Sequence, residues 1–132
     1  LPSEAEWFVC AQCGDGREFP WGKTWPPQSG REGNYCGQET QGLFQGMIDD
    51  YNDGSVRSCP VEQSQPNPWG LYGMGGNVWE WCVSDKDVTA FGARRGGSWR
   101  TNSRIELSCA YRYASDPSIR LSWYGFRLVL SH

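Results

Sequence analysis

Apolar residues along this chain keep a regular period only in short stretches, separated by Gly, Pro and polar runs. The opening carries the clearest helical signal. Ser3 followed by Glu6 forms a capping box, in which the hydroxyl and the carboxylate each satisfy a backbone N–H at the helix start. Ala5, Phe8, Val9 and Cys10 then supply a short apolar stripe, and Gly14 supplies a stop. From Gly14 to about Asn34 no period is sustained. Phe19-Pro20-Trp21-Gly22 and Trp25-Pro26-Pro27 predict an irregular loop anchored by aromatic rings. A second loop, Ile48 to Asp53, gathers Asp49, Asp50 and Asp53 ahead of Gly54, and Ser64 to Pro68 reads as a connector.

Three later segments predict strands. Asn77-Val78-Trp79-Glu80-Trp81-Cys82 alternates, placing the two Trp on one face and Val78 and Glu80 on the other. Arg95-Gly96-Gly97-Ser98-Trp99 reads as a Gly-kinked strand, and Gly125 to Leu130 as a final strand apolar enough to lie centrally. A long polar stretch from Arg100 to Tyr124 separates these two. The class is α+β with high loop content. Such loops need indole packing, cross-links or a bound cation to stay ordered.

Composition narrows the function. The 132 residues fit one domain spanning 1–132. Apolar residues are only 38%, yet there are eight Trp, 17 Gly and eight Pro, a profile unlike a helical bundle or coiled coil. No apolar run approaches a membrane span. A net charge of −3 offers nucleic acid no general attraction. The single His is the last residue, His132, which removes a Ser-His-Asp triad, a His metal cluster and a His proton shuttle. Arg94-Arg95 reads as a solvated edge, and Gly73-Met74-Gly75-Gly76 lacks the Lys and following helix of a phosphate loop.

Six Cys stand at positions 10, 13, 36, 59, 82 and 109. An even number in a small chain favours disulfides in an oxidising compartment, hence an extracellular or cell-surface setting. Free buried thiols are the second reading. Zinc is the third, because Cys10 and Cys13 lack a second close pair.

Six blocks occur in order: Leu1-Pro2-Ser3-Glu4-Ala5-Glu6-Trp7, Phe19-Pro20-Trp21-Gly22, Asn67-Pro68-Trp69-Gly70-Leu71-Tyr72, Gly76-Asn77-Val78-Trp79-Glu80-Trp81, Arg95-Gly96-Gly97-Ser98-Trp99 and Gly125-Phe126-Arg127. The series resembles the formylglycine-generating-enzyme (sulfatase-modifying factor) family, whose fold is a variant of the C-type lectin fold. In that family the first block lies mid-domain, so the resemblance implies the C-terminal portion of a larger chain.

Enzymes of this family oxidise a substrate Cys with two Cys that follow the Gly-Gly-Ser block and bind copper as thiolates, a pairing that soft Cu(I) favours. Between Ser98 and Cys109 this sequence has none. Cys109 instead aligns with a structural half-cystine of some members, and no His could serve it as a base. No copper is therefore expected, and catalytic residues are assigned to none.

The stretch that follows resembles a related group that shares the fold, the variable proteins of diversity-generating retroelements: Gly96 to Trp99, Cys109-Ala110-Tyr111-Arg112, Pro117, then Gly125 to Arg127. That resemblance implies a ligand-binding loop region across 100–124, with Arg100, Thr101, Ile105, Tyr111, Tyr113, Ile119, Leu121, Ser122 and Trp123 as candidate contacts to a protein or glycan. Rigid aromatic rings bury area at low entropy cost, as recognition patches require. The alternative for Trp123 is that it plugs the core. The alternative function is an oxidase or related enzyme whose activity depends on an N-terminal part.

Family members also hold calcium in loops. The resemblance assigns Asn34 and Asp53 side chains with the Tyr35 and Ser55 carbonyls to one ion, a hard-oxygen set suited to Ca²⁺. Asp53-Gly54 alone would read as an ordinary turn. A second family site would use Gly76, Val78 and Glu80, but residue 73 is Gly where a side-chain oxygen is usual. If Tyr35 and Ser55 meet on one ion, Cys36 and Cys59 come close enough to pair. The family's structural bridge would join Cys109 to Cys10 or Cys13, leaving Cys82 beside the other.

Overall fold

In the computed structural model, which describes residues 1–84 and 92–130, the capping box closes as the sequence requires. Glu6 N donates to Ser3 Oγ at 3.1 Å, and Ser3 N donates to Glu6 Oε2 at 2.8 Å. Helix α1 runs Glu4–Gln12 and ends on Cys13, itself left-handed at φ 52, one residue before Gly14. Its buried face is Glu4, Trp7 and Ala11, whereas the stripe expected at Ala5, Phe8, Val9 and Cys10 is exposed or half-buried. The largest ring and the one paired carboxylate decide which face turns inward. Trp7 Nε1 donates to Glu80 Oε2 at 2.7 Å, and Glu4 accepts from Arg112 Nε at 2.7 Å and Arg95 Nη2 at 3.3 Å.

Two short 3₁₀ turns follow, Gln38–Thr40 and Val61–Gln63, then four strands: β1 Trp79–Cys82, β2 Gly92–Arg95, β3 Tyr113–Ser115 and β4 Tyr124–Gly125. They form one sheet in the order β3-β2-β1-β4. β2 is antiparallel to both β1 and β3, while β4 runs parallel to β1. The α+β class with much loop is thus the observed one. No described helix is long and apolar enough to cross a membrane. His132 lies outside the described residues.

Two strand expectations change. β2 ends at Arg95, and Gly96 and Gly97 turn the chain away at φ 95 and 74. A Cβ on Gly97 would sit 2.4 Å from Leu107 Cδ2, so the Gly pair stops the strand and lets Leu107 pack beneath. The apolar run after Gly125 is not a central strand. Only Tyr124 and Gly125 pair with β1, at the sheet edge, and Leu128 and Leu130 stand 78% and 91% exposed. Arg127 explains the departure: its guanidinium swings to Glu80, with Nε to Oε2 at 2.6 Å and Nη2 to Oε1 at 2.8 Å.

Two apolar clusters pack around this frame. Trp7, Ala11, Met74, Cys82 and Cys109 pack behind the sheet. Tyr35, Ile48, Tyr51 and Leu107 pack with Trp21 and Trp25, and Phe19 stacks on Trp21 at 4.6 Å, so the Phe19 to Pro27 loop is anchored by rings as expected.

Replacing Glu80 with Gln leaves Arg127 half-buried without its anion. The expected loss is about 3 kcal/mol, at the low end for removing one partner of a buried pair. Urea unfolding of Glu80→Gln and of the Glu80→Gln, Arg127→Met double variant checks this. The double variant should recover part of the loss.

Candidate functional site

Alternation along β1 sends Trp79 and Trp81 to one face, and the register then decides their company. Trp81 sits opposite Arg94, and Arg94 opposite Tyr113, so one row crosses three strands. Tyr124, on β4, closes the row from the far side. The Arg94 guanidinium lies 3.5 Å from the Tyr124 ring centroid, 4.7 Å from Tyr113 and 5.2 Å from Trp81. Ring faces are electron-rich, so this cage stabilises a cation that is only 2% exposed. Arg94 is therefore no solvated edge, and its Nε has no hydrogen-bond partner. Arg95, its sequence neighbour, points to the opposite face and pairs with Glu4.

The rings continue beyond the sheet. Tyr124 meets Trp123 at 6.1 Å and Trp123 meets Trp99 at 6.0 Å, both edge-on. Arg100, exposed, lies over Trp123 at 4.3 Å, Phe44 at 5.1 Å and Trp99 at 5.9 Å. The Trp99 indole N–H is buried and unpartnered. On the other side of Tyr124 opens a cleft of about 540 Å³, walled by Leu1, Trp81, Ile119, Leu121, Tyr124 and Phe126, with Arg120 at its lining.

Six of the expected contacts therefore share this face: Arg100, Tyr111, Tyr113, Ile119, Leu121 and Trp123. Tyr111 and Tyr113 reach it through Trp79, at 6.0 and 5.9 Å. Ser122 is exposed beside Trp123. Thr101 does not belong: it is 5% exposed, and its Oγ1 accepts from Ser98 N at 3.0 Å, holding the turn after the Gly pair. Ile105 stands 71% exposed on a separate turn and takes no part in the ring contacts. Phe44, Trp81, Arg94 and Trp99 were missed. Strand register could have found Arg94 and Trp81, but nothing local to Phe44 marks it.

The expected calcium ligands gather in part. Asp53 accepts from Tyr35 N at 2.8 Å and Ser55 N at 2.9 Å, so its carboxylate is locked between the residues whose carbonyls the site would use. Asn34 Nδ2 donates to Arg57 O at 2.7 Å, which orients the amide and leaves Asn34 Oδ1 buried without a partner. Burial pushes the Asp53 carboxyl up from 3.8 to about 7. An orphaned amide oxygen and a desolvated carboxylate both fit a hard cation. Among the described residues no three His, Cys, Asp or Glu side chains cluster, so such an ion would depend on amide and carbonyl oxygens.

Glu80 is different. Trp7 and Arg127 take both of its oxygens, so its carboxylate is unavailable to a second cation without breaking that ion pair.

All six Cys are free thiols, and neither the Cys36–Cys59 bridge nor one from Cys109 to Cys10 or Cys13 is formed in this structure. Cys36 Sγ turns to Thr40 Oγ1 at 3.3 Å, while Cys59 Sγ accepts from Asn34 Nδ2 at 3.3 Å. Burial raises the Cys109 and Cys82 thiols to about 12, and for Cys109 a nearby Cys13 adds to the effect. Such thiols are almost wholly protonated at neutral pH and make poor nucleophiles.

A family model described as Sulfatase-modifying factor enzyme 1-like domain matches residues 1–132. The formylglycine-generating enzyme of Mus musculus is 31% identical over 157 aligned positions, covering 100% of this chain and 39% of its own length. Inactive C-alpha-formylglycine-generating enzyme 2 of Bos taurus is 36% identical over 140, covering 96% of this chain and 42% of its own. Among solved structures, Treponema denticola variable protein 1 superposes with a TM-score of 0.72 at 27% identity, over 96% of this chain and 45% of that one. The chain thus spans less than half the length of each of these relatives.

The raised Asp53 carboxyl has a consequence for stability in chelator. A folded pKa above the unfolded one means the folded chain holds a proton that the unfolded chain releases. Its stabilising effect is complete below 3.8 and is lost as pH rises through about 7. Thermal unfolding in chelator should therefore show the protein losing stability, relative to Asp53→Asn, as pH rises from about 4 to 8. Parallel curves for the two proteins would contradict it.

Proposed function

Since the chain belongs to the sulfatase-modifying factor enzyme 1-like family, and within it lacks any Cys between Ser98 and Cys109, we propose that it is a non-catalytic recognition domain. Its ligand, a protein or glycan, docks on the aromatic face formed by the 100–124 region with the strands beneath. The observation that carries this reading is the unbroken chain of rings from Trp81 through Tyr124 and Trp123 to Trp99, flanked by a cleft and by the exposed Arg100. Rings held by one another lose little entropy when a ligand arrives. The likeness to a variable protein and to a relative named inactive supports the same reading. An extracellular or cell-surface setting goes with it.

Trp123 decides between recognition and packing. Its backbone oxygen accepts from Trp79 N at 2.8 Å, and its half-buried ring touches two others edge-on. Truncation to Ala should lower stability by about 2 kcal/mol, from two ring contacts and a half-buried surface, against about 3–5 kcal/mol for a core Trp. Ligand capture should fall by at least about tenfold, as for a central aromatic contact. Melting temperature and binding, measured on the same preparation, separate the two. A large stability loss with binding intact would return Trp123 to the core.

Calcium forms part of the proposal. Asn34 Oδ1, the Asp53 carboxylate and the Tyr35 and Ser55 carbonyls would hold the ion, which would pin the 34–37 and 53–59 loops together. Adding Ca²⁺ to chelated protein should raise the melting temperature, and Asp53→Asn should abolish the rise. No shift in the unsubstituted protein removes calcium from this site.

The second reading, an oxidase, rests on the relatives that carry that enzyme's name. It predicts copper uptake and turnover of a Cys-containing peptide. Neither is expected, and observing both would replace the recognition reading.

A further inference from the structure

The recognition face carries hydrogen-bond donors and almost nothing to pair them with. Arg94 is 2% exposed with its Nε unpartnered, and Trp99 is 4% exposed with its indole N–H unpartnered. No carboxylate among the described residues pairs with Arg94 or Arg100. Five other arginines, Arg17, Arg95, Arg104, Arg112 and Arg127, each contact a carboxylate, whereas Arg94 and Arg100 are held against aromatic rings. Leaving buried donors unmet is costly, and a guanidinium stacked on rings keeps its in-plane N–H groups free for a planar oxyanion. The adjoining cleft adds a second requirement. Its walls are Leu1, Ile119, Leu121 and Phe126 with two further rings, and among the described residues the charged side chain in its lining is Arg120.

Resting on the recognition reading, we infer that the ligand is a protein segment presenting a carboxylate beside a large apolar side chain. The carboxylate takes the Arg100 guanidinium, at the Trp99 and Trp123 end of the ring chain. The apolar side chain enters the cleft on the far side of Tyr124. Arg94, caged between the two, biases the whole face toward anions. Apolar walls with little hydrogen-bonding capacity suit a Leu or Phe side chain and leave the hydroxyls of a sugar with few partners, which favours peptide over glycan.

The test is selection from a random dodecapeptide display library on the intact domain, with binding of the enriched peptides then measured on variants. Enriched peptides should carry Asp or Glu near a large apolar residue. Their affinity should drop about tenfold or more for Arg100→Gln, which removes a charged hydrogen bond at an exposed position that the fold does not need. Replacing the peptide's Glu by Gln should cost a similar factor on the unsubstituted domain and little on Arg100→Gln. Peptides without acidic residues that bind both proteins equally, yet are lost on Trp123→Ala, would overturn the carboxylate while leaving the recognition face standing. Capture of 3′-sialyllactose by Arg100, with no peptide enriched, would overturn the protein ligand. A selection that Trp123→Ala leaves unchanged, or that enriches nothing while sialyllactose also fails, removes the face and the inference together.

Discussion

The Glu80 carboxylate joins three parts of the chain that are far apart in sequence. Trp7 of the first helix and Arg127 near the end of the described chain both donate to its Oε2, at 2.7 and 2.6 Å. A charge 7% exposed is tolerable only when its lone pairs are filled, so neither donor can drift without leaving the anion unpaid in hydrogen bonds. Glu4 repeats the device with Arg95 and Arg112. A sheet of four short strands and one nine-residue helix could not by itself order so much loop. The two clamped carboxylates hold the outer segments in place, and the loops fill in between.

Those loops are in turn organised by side-chain amides standing in for backbone partners. Asn77, left-handed at φ 61, exchanges hydrogen bonds with Cys59 through both its amide atoms. Asn67 accepts from Trp69 N and Leu71 N while donating to Cys10 O. Asn34 belongs to the same class, except that its oxygen is left without a partner beside the Asp53 turn. That exception is what makes a cation there physically reasonable.

The alternation of β1 ties the clamp to the aromatic face. Glu80 and Cys82 look toward Trp7 and the first helix, which forces Trp79 and Trp81 to look the other way. With the clamp holding one side of the strand, the rings on the other side are rigidly placed, and Arg94 and Tyr113 follow by register. The aromatic face is thus a by-product of where the buried anion had to go. Three of its rings, Trp81, Trp123 and Tyr124, stay half-buried.

Much of this was legible in the chain itself. Local rules sufficed for the capping box at Ser3 and Glu6, the α+β class, the two-faced β1 and the ordered blocks that carry the family. The resemblance to variable proteins singled out Arg100, Tyr111, Tyr113, Ile119, Leu121 and Trp123, which the fold brings to one face. What failed were statements about partners. Thr101 looked like a contact but is held by Ser98, and Arg94 looked solvated but is caged. The Gly125 to Leu130 run looked central but leaves the sheet after Gly125, and the paired thiols expected at Cys36 and Cys59 face other groups. The physical reason is common to all four. Propensity, capping and alternation depend on neighbours within a turn or two, which the sequence displays directly. Whether a charge is caged, a ring exposed or a strand flanked depends on residues tens of positions away, and only the folded chain decides which of them arrive.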